Sequence, residues 1–98
     1  MLAKVREDEQ FLCPVCGYEH LDSAAFDDQG SASFELCPCC GTEFGYDDAS
    51  TTHAELRERW LSAGARWHSG SVIPPLGWDA NSQVRAASAL GIFSPQKR

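Results

Sequence analysis

Two short stretches set the terms for this chain: CPVCG at residues 13–17 and CPCCG at residues 37–41. Each places two cysteines three positions apart, with proline after the first and glycine after the second. A CxxC turn brings two sulfurs toward one point, and proline restricts that turn before anything binds. Glycine after the second cysteine lets the backbone take a positive φ and double back, so that amides turn toward the sulfurs. Two such turns supply four thiolates, enough for a closed tetrahedral zinc site with Zn–S distances of about 2.3 Å. The separation, CxxC–x20–CxxC, falls in the range expected for such a site. One CxxC alone would be weak; two copies of CPxCG are the strongest signal in the sequence.

The second copy carries a surplus thiol. Aligning the repeats pairs Cys13 with Cys37 and Cys16 with Cys40, and leaves Cys39 opposite Val15. Taking Cys39 as a ligand would lose either the two-residue gap or the place of Gly41. The expected ligands are therefore Cys13, Cys16, Cys37 and Cys40. Cys39 is then a small side chain at a variable position of the turn. The sharper alternative is a reactive or substitute-ligand thiol, because a neighbouring metal lowers a thiol pKa.

The five cysteines are an odd count, which fits poorly with a closed disulfide framework. The opening MLAKVREDEQ has no apolar core of a signal peptide, and no apolar run reaches the length of a membrane span. The expected location is the cytoplasm, where thiols stay reduced and metal binding is the favoured use of cysteine.

A four-thiolate site has no open position for water, which catalytic zinc sites keep. Its role is expected to be structural, and the chain is expected not to be an enzyme. His20, His53 and His68 show no nucleophilic partner in a motif and read as surface or packing residues. Zinc is the expected metal; iron remains the alternative, since both accept tetrahedral sulfur.

The formal charge is −6. That argues against nucleic acid as a partner, because phosphate binding depends on clustered Lys and Arg, and it suits a basic protein instead. Candidate partner-binding residues are Tyr46, Asp47, Asp48, Trp67 and Trp78, with a packing or capping role as the plain alternative for each. Arg57, Arg59 and Arg66 read as a solvated helix face.

Composition divides the chain. Residues 1–10 form a polar lead-in, and residues 11–98 a single domain with a metal-binding ribbon (11–48) and a helical half (50–93). Short strands are expected at FLC (11–13) and SFELC (33–37), with a connecting loop between. Residues 50–67 carry helix marks: Thr52 and Glu55 form a capping box, and Leu56, Trp60 and Leu61 fall near one face. Pro74 and Pro75 exclude a helix in the loop that follows. A second helix is expected from Asp79 or Asn81 to a stop at Gly91, with Val84, Ala87 and Leu90 as a thin apolar stripe. The fold class is α+β: a small knuckle module with short strands, followed by two helices packed on it.

The CPxCG pair resembles those of zinc ribbons and rubredoxins. Further along, CPCCGTEFGYDD, LRERWLSAGARW and PPLGWD together resemble the small bacterial cysteine-rich CPCC-type proteins, over roughly residues 11–90. That resemblance implies a single-domain, zinc-binding protein with a helical C-terminal half, and it carries over no activity. Some small bacterial proteins of this style look like accessory or toxin-immunity factors. The expectation is thus a zinc-stabilised protein that acts by binding another protein. A rubredoxin-like electron carrier is the first alternative, and a nucleic-acid-binding ribbon the second.

Overall fold

The computed structural model describes residues 11–93. The expected polar lead-in, 1–10, and the end of the tail, 94–98, lie outside the described residues. Among the described residues there are two helices, α1 (His53–Ser62) and α2 (Ala80–Ala89). The two do not pack on each other; each packs on the cysteine-bearing part of the chain.

Both helices begin at the expected caps. The Thr52 hydroxyl accepts from the Glu55 amide at 3.0 Å, and the Glu55 carboxylate reaches back to the Thr52 amide, so two orphan donors are satisfied reciprocally. The Asp79 carboxylate accepts from the Ser82 amide at 2.9 Å at the start of α2. The helix marks run over residues 50–67, with Gly64 as a candidate C-cap or late break, and α1 ends at that break, with Ala63 as its C-cap. Gly64 (φ +107°) and Ala65 (φ +52°) leave the right-handed region and close a turn in which the Ala65 amide donates to the Trp60 carbonyl. The chain must turn there because residues 68 and 69 lie along the second CxxC turn, donating from their amides to Cys39 and Pro38. α2 ends as expected, with Gly91 at φ +80°. Of its apolar stripe, Ala87 is buried and Val84 packs against the core, whereas Leu90, the C-cap, is exposed.

The expected strands are not formed. Residues 11–13 and 33–37 contribute only isolated bridges, Phe11 with His20 (parallel) and Leu36 with Glu43 (antiparallel); a third joins Phe26 to Ala32. The reason is local. Each extended piece runs straight into a CxxC turn, and Phe34 sits at φ +60°, which breaks the pleat in the middle of the second piece. Phe34 lies across Gly45, where a Cβ would come within 2.7 Å of its ring.

The core is built around the cysteines. Val15, Tyr18, Leu21, Phe44 and Trp60 are buried with Cys13, Cys16, Cys37 and Cys39 in one cluster. Trp67 stands edge-on between Tyr18 and Trp78, with ring centroids 5.5 and 5.3 Å away, and this ladder seats the loop between the helices. Such pairs contribute about 0.5–1.5 kcal/mol beyond their buried area. The indole N–H groups are all satisfied internally: Trp60 by the Arg66 carbonyl, Trp67 by the Val72 carbonyl and Trp78 by the Gln83 side chain.

Helix α2 sits directly on the first CxxC turn. A Cβ on Gly17 would lie 2.7 Å from the Ala87 Cβ and 3.3 Å from the Gln83 carbonyl oxygen. Gly30 has a similar positive φ but open space around it. Ala at either position bears backbone strain of about 1–2 kcal/mol, and only Gly17→Ala also displaces a helix, for about 1–3 kcal/mol more. Chemical denaturation should therefore show Gly17→Ala clearly less stable than Gly30→Ala. Equal midpoints would mean that α2 does not rest on this turn.

Candidate metal centre

The Sγ atoms of Cys13, Cys16, Cys37 and Cys40 all lie within 4.8 Å of one another. Two separations describe the cluster: Cys13 to Cys40 is 3.8 Å and Cys16 to Cys37 is 3.7 Å. A tetrahedron of sulfurs about 2.3 Å from a central ion has edges of about 3.8 Å. The donor set thus fits one tetrahedral, thiophilic ion. Cys13, Cys16 and Cys37 are fully buried, and Cys40 is half-buried.

The backbone makes this arrangement twice. In the first turn the Gly17 amide donates to the Cys13 carbonyl at 2.9 Å, and the Cys13 amide donates to the Tyr18 carbonyl at 2.8 Å. In the second, Gly41 donates to Cys37 at 2.8 Å, and Cys37 donates to Thr42 at 2.9 Å. Gly17 and Gly41 take φ of +88° and +81°, the conformation for which glycine is suited. The close sulfur pairs join the two turns reciprocally, the first cysteine of each turn lying against the second cysteine of the other. Amide donors reach one sulfur from its own turn: the Val15 and Cys16 amides point at Cys13 Sγ, 3.3 and 3.5 Å away.

Four sulfurs this close cannot all ionise without a cation among them. Burial pushes the Cys13 and Cys16 thiols far above their ordinary pKa, while hydrogen bonds, chiefly from Cys13, hold Cys40 far below it. Burial thus opposes a full set of thiolates in the cluster by itself. A divalent ion removes that conflict by replacing the protons.

Cys39 stands outside the group of four. It takes the place that Val15 takes in the first turn, and both side chains are fully buried. Its sulfur accepts from the Gln83 Nε2 at 3.4 Å. A sulfur with no exposed surface is poorly placed for reaction with external reagents.

Arg57 had been read as part of a solvated helix face, and the structure corrects that reading. Its Nε donates to the Val15 carbonyl at 2.8 Å, its Nη2 approaches the Pro14 carbonyl at 3.4 Å, and the guanidinium carbon lies 3.7 Å over the Phe93 ring. Burial lowers the guanidinium pKa, and the Cys13 and Cys16 sulfurs pull it back up. Arg59 and Arg66 are exposed. Gln83, not singled out from sequence, donates to the Cys16 carbonyl at 3.0 Å. The available signal for Arg57 was spacing: His53, Leu56, Arg57 and Trp60 follow the i, i+3, i+4, i+7 pattern of one helix stripe.

The candidate partner-binding residues fall into two settings. Tyr46 is 71% exposed, and the exposed Asp47 accepts from the Glu43 amide at 2.8 Å. Asp48 is turned inward, accepting from the Gly45 amide at 2.7 Å and pairing with His53 Nε2 at 2.6 Å. Trp67 and Trp78 are half-buried members of the aromatic ladder. His20 and His68 line a cleft of about 480 Å³ together with Tyr18, Glu35, Leu36 and Val72. Among the described residues, the four cysteines are the one group found that could hold a metal ion.

No helix among the described residues is long and apolar enough to cross a membrane. No family model matches the chain, and no solved structure matches it. Similarity is found to two Bacillus subtilis proteins. The chain is 38% identical over 39 residues to the uncharacterized protein YoaQ, and 35% identical over 40 residues to the uncharacterized protein YozI. Each match covers 39% of this chain and 33% of the relative, so the chain spans about a third of the length of the curated proteins it matches.

Proposed function

We propose that the chain is a non-enzymatic, zinc-stabilised protein that acts by binding a basic protein. In this reading Cys13, Cys16, Cys37 and Cys40 hold one zinc ion. The observation that supports it most is the pair of sulfur separations, 3.7 and 3.8 Å, at the edge length of a tetrahedral four-sulfur site. Four thiolates close the coordination sphere and leave no position for a reacting water, so the ion's contribution is to folding. A core this small gains a great deal from such a staple.

Purified protein should contain one zinc per chain and be colourless. One iron per chain, with a red colour that bleaches reversibly on reduction, would favour an electron carrier instead. Cys37→Ser and Cys40→Ser should each lose the metal and the native fold of the ribbon, whereas Cys39→Ser should keep a stoichiometry of one. Metal release by Cys39→Ser with retention by Cys40→Ser would overturn this ligand set.

The partner half of the proposal is supported by what surrounds the second turn. Tyr46 and Phe34 are 71% and 63% exposed, large aromatics of the kind that anchor interfaces, and Leu36 is also exposed. Glu43 and Asp47 lie beside Tyr46 in sequence, and no Lys or Arg occurs between Phe11 and Leu56. An acidic surface with aromatic anchors is complementary to a basic one, which it would attract at a salt-dependent rate. A photo-crosslinking residue placed at Tyr46 in the native host should give one defined protein adduct, weakened by Asp47→Lys. An adduct equally strong with Asp47→Lys, or none at all, would remove the role assigned to this surface.

A further inference from the structure

The two cysteine turns repeat the same backbone bonds and then differ in what covers them. In each turn the carbonyls of the proline and of the next residue need donors. On the second turn the backbone supplies both: the Ser69 amide donates to the Pro38 carbonyl at 2.9 Å and the His68 amide to the Cys39 carbonyl at 3.0 Å. On the first turn the equivalent carbonyls, Pro14 and Val15, are both met by one side chain, the Arg57 guanidinium, at 3.4 and 2.8 Å. Neutral amides are sufficient for the hydrogen bonds, as the second turn demonstrates. A cation in the same position adds charge.

Charge matters here because an occupied centre of four thiolates and one divalent ion carries a net charge of −2, in a setting where three of the four sulfurs have no exposed surface. A buried anion is costly unless an opposite charge lies near it. Arg57 is the basic side chain the fold brings to that point. It is held by the ring of Phe93 on one side and on the other by the carbonyls of Pro14 and Val15, the two residues between the ligands Cys13 and Cys16. Arginine also suits the place better than lysine, because its planar fork can meet two neighbouring carbonyls at once.

We propose that Arg57 is a positioning residue of the four-cysteine centre: it holds the first CxxC turn in its ligating shape and offsets the negative charge of the metal–thiolate group. This rests on the metal reading above. Outer contacts of this kind typically change metal affinity by roughly ten- to a hundredfold.

The probes are zinc(II), titrated against a chromophoric chelator, and cobalt(II), whose sulfur-to-metal charge-transfer bands report electron density on the thiolates. Arg57→Gln should weaken zinc binding by roughly ten- to a hundredfold. It should also shift the cobalt bands to lower energy, because thiolates without a nearby cation give up electrons more readily. Arg57→Lys keeps the charge and loses the fork, so its bands should stay near wild type while its affinity falls. Arg59→Gln, an exposed arginine on the same helix, should match wild type in both readouts. If Arg57→Gln weakens zinc binding but leaves the cobalt bands in place, Arg57 is a structural prop only and the charge role is overturned. Wild-type affinity in Arg57→Gln would overturn the whole assignment. A wild-type chain that takes up neither ion would instead defeat the metal reading on which the proposal stands, before any variant is compared.

Discussion

The convergence of four sulfurs on one point is the constraint from which the rest of this structure follows. The two helices do not touch each other, and among the described residues the strands are reduced to three isolated bridges. Among the described residues neither a helical bundle nor a sheet organises the chain. What remains is a cluster of buried side chains at whose centre the cysteines lie, with Val15, Phe44 and Trp60 around them. Burial raises the cost of ionising Cys13 and Cys16, so four thiolates are not favoured there without a cation. With one, the same packing becomes a coordination sphere, and the free energy of binding adds directly to that of folding.

Around that centre the molecule combines symmetry with a purposeful departure from it. The backbone of each turn repeats the same two hydrogen bonds and the same positive-φ glycine. The covers then differ: α2, Gln83 and Arg57 close over the first turn, and the extended residues after α1 close over the second. Consequently each element of the helical half has a direct line to one turn. α1 reaches the centre through Arg57, α2 through Gln83 and Ala87, and the intervening loop through His68 and Ser69. This explains how two helices without mutual contact belong to one folded unit. It also leaves Tyr46 and Phe34 exposed beyond the second turn, while Asp47 shares a cleft with Leu56, Arg59 and Trp60 of α1.

Much of this was legible in the sequence where the signal was local. The capping box of α1, the N-cap of α2 and its stop are short-range chemistry, and Thr52, Glu55, Asp79 and Gly91 act as their residue types imply. The internal repeat likewise picked out the four cysteines whose sulfurs the structure gathers, and separated Cys39 from them. The misreadings came where tertiary demands overrode local pattern. The residues of SFELC have strand propensity, yet Phe34 takes a left-handed conformation and the turn that follows leaves no length for a ladder. Helix marks ran on to residue 67, and Gly64, the break within them, is where α1 gives way to the residues that serve the second turn. Arg57 was judged by its charge when its place on the buried stripe was the better guide.

The central claim is that four cysteine sulfurs, and nothing else, complete the centre. X-ray absorption at the metal edge of the zinc-loaded protein tests this most directly. The account predicts a single shell of four sulfur scatterers at about 2.3 Å, with no nitrogen or oxygen in the first shell. A mixed shell containing an imidazole nitrogen, or three sulfurs with a bound water, would contradict it.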